Sequence, residues 1–118
     1  MRVTWKTHKG KQILYVDYSG LNTKEMIQLL HDSCDVLNKL NNAVPLLANF
    51  ENTTADTEYM NEVKRLGKQV ITAKASKTAL LGITGVKGVL VQGYAFFTGE
   101  KNLKSFSSEP EALDWLAS

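Results

Sequence analysis

The sequence predicts a single α/β domain on a mostly parallel sheet, with elements in the order β-β-α-β-α-β-α-β-α and the first strand antiparallel at an edge. Three observations lead there. Apolar residues switch repeatedly between alternation at two and recurrence at three and four, the periods of strand and helix. Asn22 with Glu25, and Ser108 with Glu111, have the spacing of capping boxes that open helices. After the first strand pair every strand is followed by a helix, and strands joined that way run parallel through right-handed crossovers.

In chain order, Val3, Trp5 and Thr7 alternate with Arg2, Thr4 and Lys6, the pattern of a half-buried strand, and Lys9-Gly10 supplies a two-residue hairpin. Ile13 to Tyr18 is more continuously apolar and belongs inside the sheet. Past the turn Ser19-Gly20, a helix from Asn22 to about Leu40 carries the stripe Met26, Ile27, Leu30, Cys34, Leu37 and Leu40. Pro45 ends the connection, and Leu46, Leu47, Ala48 and Phe50 form a short buried strand. Met60, Val63, Leu66, Val70 and Ala73 stripe a second helix that starts near Asp56. Thr78 to Thr84 is the next buried strand, Val86 to Phe97 a third helix opened by Gly85, and Leu103 to Phe106 a short strand near an edge. The last helix tolerates Pro110 in its first turn and buries Ala112, Leu113 and Leu116, with Trp115 beside them.

Composition excludes several classes. At 118 residues and net charge +2, the chain is long enough for a core without a disulfide or metal staple, and the lone Cys34 forms no internal disulfide. The opening MRVTWKTHKGKQ has no apolar run of signal-peptide length. Val86 to Phe97 is broken by Lys87, Gly88, Gln92 and Gly93, far short of the roughly 20 apolar residues of a membrane span. A cytoplasmic protein without stable membrane anchoring is expected, and a charge of +2 gives no reason to expect nucleic acid.

The phrases ILYVDYSGLNTKEMIQLL, LLANFENTT and TALLGITGVKGVL, with the tail F-x-x-x-x-E-A-L-x-W-L from Phe106 to Leu116, resemble small bacterial proteins of the STAS-like group. That group is named for sulfate transporters and anti-sigma-factor antagonists and is described together with CRAL-TRIO-like lipid-binding folds. The resemblance implies a β/α superhelix acting as a regulatory or binding module with a protein partner. Phosphorylated members carry an Asp-Ser-Ser-Gly-like segment after the strand that follows the first helix. Here Asn49 to Asp56 reads NFENTTAD, without that motif, so the phosphoswitch does not simply carry over; Thr53 and Thr54, adjacent hydroxyls in the same place, are the possible phosphoacceptors.

Ligands of open parallel sheets bind outside the carboxyl ends of the strands. That rule selects Asp17, Ser19, Asn49, Glu51, Thr53, Thr54, Thr84, Lys87 and Ser107 as one rim, against the competing reading that these residues close turns and cap helices. In GITGVKG, Gly82, Gly85 and Gly88 either let backbone N–H groups approach a phosphate or serve close packing, a turn and a helix-sheet approach, respectively. His31, Cys34 and Asp35 have a spacing that can share a metal, yet Cys34 belongs to the apolar stripe, so no metal or other cofactor is expected. His8 lies in the hairpin, which leaves a hydrolase without a base at the rim, and Asp17 with Glu51 is at most a pair of loop acids. Lys64, Arg65, Lys68, Lys74 and Lys77 have no acid among them and either compensate a helix dipole or face an anionic partner. Tyr94, Phe96 and Phe97 diverge around the helix, so at least one ring either covers the edge of the short last strand or belongs to a self-association or ligand-entry surface, with a homodimer as one outcome. The expected function is a non-catalytic regulatory or protein-interaction module. The alternative is a carrier of a small apolar or anionic ligand, lipid-like or phosphate-bearing, at the C-terminal rim of the parallel strands.

Overall fold

Lys9 and Gly10 both take positive φ, at 50° and 79°, and this two-residue turn folds β1 (Val3–His8) back on β2 (Lys11–Asp17). The computed structural model describes residues 2–54 and 56–118. With β3 (Val44–Asn49), β4 (Ala75–Leu81) and β5 (Leu103–Phe106) the strands form one sheet in the order β1-β2-β3-β4-β5. Only β1 is antiparallel; the other pairs are parallel, with Leu14 opposite Leu46, Ala48 opposite Leu80, and Leu80 opposite Ser105. Pro45 interrupts an inner strand without loss because the β3–β4 register shifts between Val44 and Leu46, where a missing N–H is tolerated.

Each crossover carries a helix. The helix α1 (Thr23–Asn38) opens on the expected capping box, with Asn22 accepting from the Glu25 N–H and Glu25 accepting from the Asn22 N–H. Next come α2 (Thr57–Leu66), capped by Asp56, a π-helical turn over Gly67–Ile71, and the short α3 (Thr72–Lys74). The fourth helix, α4 (Val86–Thr98), ends on Gly99 at φ 73°, and α5 (Glu109–Ala117) is capped by Ser108. Because the strand order rises monotonically and crossovers are right-handed, α1, α2 and α4 all fall on one face of the sheet. Leu14, Val16, Leu46, Ala48 and Leu80 meet them there, while Ile13, Leu47, Ala79 and Leu81 meet α5 alone on the other.

Four expectations change. Trp5 and Thr7 are exposed, since β1 is an edge strand; its neighbouring residues Lys6 and His8 reach Glu109 and Asp114 of α5 instead. The second helical stripe stops short of Ala73, which is exposed: the π turn adds a residue, so that Gly67, Val70 and Ile71 face inward. Finally, β4 begins at Ala75 and ends at Leu81, so Gly82 is not a strand residue. It turns the chain at φ 76° with its α-carbon against the backbone of Phe50 and Glu51. Gly88, expected at a close helix-sheet approach, has open space beside it.

Candidate functional site

At the carboxyl ends of the parallel strands the loops are laced to one another. Tyr18 and Gly20 donate backbone N–H groups to the carbonyls of Asn49 and Glu51, and Phe50 donates to that of Leu81. The candidate rim residues join this lacing. Asp17 Oδ1 accepts from the Ser19 N–H at 3.0 Å, and Arg2 donates to the Asp17 and Ser19 carbonyls at 3.0 and 2.8 Å. Asn49 is buried, accepting from the Glu51 N–H and donating to the Tyr15 hydroxyl. Lys87 Nζ donates to the carbonyls of Phe50 at 3.0 Å and Gly82 at 3.2 Å. Its ammonium is thus turned onto the loops, away from any phosphate approaching GITGVKG. Ser107 and Ser108 both donate to Glu111 at the start of α5.

The two candidate phosphoacceptors differ. Thr53 is buried and donates to the Phe50 carbonyl at 2.7 Å, whereas Thr54 is exposed, as are Glu51 and Thr84. Ala55, part of the same segment, lies outside the described residues. Elsewhere, His31, Cys34 and Asp35 do not converge: His31 pairs with Glu62 at 2.6 Å, Asp35 is exposed, and Cys34 is buried. Burial pushes the Cys34 thiol up to about 11, which keeps it protonated and unreactive. The bidentate Arg65 contact, ahead of His31, holds the Glu62 carboxyl below the usual range.

Below the rim an apolar cavity of about 110 Å³ lies between the sheet, α2 and α4. Leu46, Ala48 and Leu80 line its sheet side, Tyr59 and Val63 its α2 side, and Leu90, Val91 and Tyr94 its α4 side. An apolar void of this size is near the lower limit for a small hydrocarbon ring. Tyr94, expected at a self-association surface, is instead buried, because Gly67 leaves room for its ring: a β-carbon there would stand 2.5 Å from the Tyr94 hydroxyl oxygen.

At the far end from the rim, Thr78 donates to Glu100 Oε1 at 2.9 Å, while Glu100 Oε2 is buried without a partner. Burial raises the Glu100 carboxyl above the ordinary glutamate range, and the Thr78 bond offsets only part of that. The folded protein therefore holds this proton to higher pH than the unfolded chain does. The associated stability is full below the ordinary glutamate range and is lost as pH rises through the raised value. Glu100→Gln keeps the Thr78 bond and should flatten the fall in urea midpoint as pH rises above the ordinary glutamate range; an undiminished fall would assign it to another group.

The outer surface of α4 is apolar too. Val86, Val89, Phe96 and Phe97 are 65, 67, 91 and 47% exposed. Beside Phe97, the residues Asn61, Lys64, Arg65, Lys68 and Gln69 of α2 and the π turn form a basic groove, with Lys68 Nζ 4.7 Å from the Phe97 ring centre. The other cations of that run leave it: Lys74 donates to the Leu40 carbonyl and Lys77 to those of Trp115 and Ser118. Sequence reasoning finds Phe96 and Phe97 but misses Val86 and Val89. The 3-4-3 spacing from Val86 through Val89 and Gly93 to Phe96 is the available signal.

No family model matches the chain, and no curated protein matches it significantly. Among solved structures it is similar to a protein of the DUF3478 family with a SpoIIAA-like fold from Shewanella loihica PV-4. That likeness has a TM-score of 0.73 at 16% identity and covers 97% of this chain and 91% of that one. It is also similar to an anti-sigma-factor antagonist (STAS) domain protein from Planctomyces limnophilus, with a TM-score of 0.64 at 14% identity and 98% of both chains covered. The fold is therefore STAS-like.

Proposed function

We propose that this STAS-like chain is a non-catalytic regulatory module that works by docking another macromolecule on the outer face of α4. The observation that carries the reading is the exposure of Val86, Val89, Phe96 and Phe97 on one helix, because soluble proteins seldom leave a contiguous apolar stripe uncovered without a partner for it. The rim supports the same reading: the polar groups of Asp17, Asn49, Thr53 and Lys87 are engaged in closing loops. A regulatory role also accords with the anti-sigma-factor antagonist whose fold the chain shares. Of the two candidate phosphoacceptors, Thr54, exposed beside the start of α2, is the one open to a kinase.

A photo-crosslinking residue placed at position 96 in the native cell should give discrete adducts that the same residue at exposed position 24 of α1 does not. Equal or absent adducts at both positions would overturn the reading. The cavity favours a second one, a carrier of a small apolar molecule, for which native mass spectrometry of the freshly purified protein should show a retained mass.

A further inference from the structure

We infer that the partner of α4 is α4 of a second copy of this chain, packed antiparallel about a twofold axis that crosses the helix at the level of Val91. The inference rests on the docking reading above and names its occupant. Its first ground is spacing. Val86, Val89, Gly93 and Phe96 stand at intervals of three, four and three, the a/d spacing of a helix-pairing seam, and together with Phe97 they occupy an arc of about 100°. Leu90, Tyr94 and Val91, which follow round the helix from Phe97, line the cavity, so the apolar surface of the helix is covered on one side and bare on the other.

The second ground is self-complementarity. Reversal about Val91 sets position 86 against 96 and position 89 against 93. Bulky Phe96 then faces the smaller Val86, and Val89 faces Gly93, beside which there is open space. Each large residue meets a small one, as interdigitation requires.

Charge is the third ground, and it selects direction. Both α2 and α4 leave the carboxyl ends of parallel strands and run back along the sheet, so they point the same way. Asp56 and Glu58 open α2 at the Val86 end, where Asp56 and Lys87 share the cavity wall. Lys64 and Lys68 flank Phe97 at the other end. In an antiparallel pair the acidic end of one copy lies over the basic end of the other, whereas a parallel pair superposes like charges. A contact of two short helices belongs to the small, weak class of interfaces, so association should be concentration-dependent.

Phe96→Lys and Val86→Glu test both the partner and the register. Each puts a charge where the helix dipole favours it, on an exposed side chain, so far-UV spectra should be unchanged. In sedimentation up to about millimolar concentration, the wild type should approach twice the monomer mass, while each variant alone stays near monomer mass. Mixed in equal amounts, the variants should recover the doubled mass, because the ammonium introduced at position 96 of one copy then faces the carboxylate introduced at position 86 of the other, and the second contact is native. A wild type that stays monomeric, a dimer indifferent to both substitutions, or variants that fail to pair on mixing would each overturn the inference. A monomer whose position-96 adducts carry a different protein would overturn it while leaving the docking reading intact, and a monomer that sediments with anionic phospholipid vesicles through Phe96 would overturn both.

Discussion

Gly82→Val should lower stability by roughly 3–5 kcal/mol, the sum of left-handed backbone strain and overpacking. Gly82 sits at φ 76°, where a β-branched residue is poorly accommodated. A β-carbon there would also stand 2.7 Å from both Glu51 Cα and the Phe50 carbonyl carbon, and still nearer the Glu51 nitrogen. Backbone cannot rotate away as a side chain can, so the β3–α2 loop would have to lift, with loss of the Lys87 bonds to Phe50 and Gly82. Gly85→Ala is the natural comparison, because Gly85 has φ 59° but nothing within 4 Å of a built β-carbon. With ψ at −132° it lies outside the left-handed helical well, so it should lose roughly 1–3 kcal/mol, from the dihedral alone. Urea denaturation of Gly82→Ala, Gly82→Val and Gly85→Ala separates the two effects; equal losses in the two alanine variants would mean that the loop contact is unimportant.

Leu30→Ala should be as damaging, at about 2–5 kcal/mol from lost burial plus a cavity. Leu30 is fully buried on the inner side of α1, in the cluster that includes Leu14 and Val16. Leu47 is fully buried on the other side of the sheet, in the cluster beneath α5. Since the sheet separates the two sites, Leu30→Ala and Leu47→Ala should add to within about 0.5 kcal/mol in denaturant melts. A strongly non-additive double variant would show that strain passes through the sheet.

Sequence signals are legible where one short segment decides its own structure. The Asn22–Glu25 box, the Lys9-Gly10 hairpin and the Ser108 cap all depend on residues a few positions apart. Misreadings arise where a distant contact decides. Nothing in TALLGIT says that Gly82 must clear the backbone of Glu51, and nothing in the spacing of Val70 and Ala73 announces a π turn. Strand direction selects the rim, but it does not say whether a polar side chain there meets a ligand or, like Asp17, Asn49, Thr53 and Lys87, closes a loop. The cavity is invisible for a different reason: it is absent volume between side chains from β3, α2, β4 and α4, and no single segment encodes it. The exposed stripe on α4 is half legible, because helical geometry alone forces Phe96 and Phe97 away from Tyr94.

The monotonic strand order bears on how the chain emerges from the ribosome. Every strand after β1 pairs with the one synthesised just before it, so the sheet and the helices over its first face can assemble as they appear, by short loop closures. The second face has no such schedule. Ile13, Leu47, Ala79 and Leu81 wait for Ala112 and Leu116 of α5, and until Glu109–Ala117 has cleared the exit tunnel they form a bare apolar surface on an otherwise assembled sheet. Nascent chains stalled before α5 should thus be the species that chaperones hold, and a premature stop in this segment should leave a protein with most of its secondary structure and a pronounced tendency to aggregate.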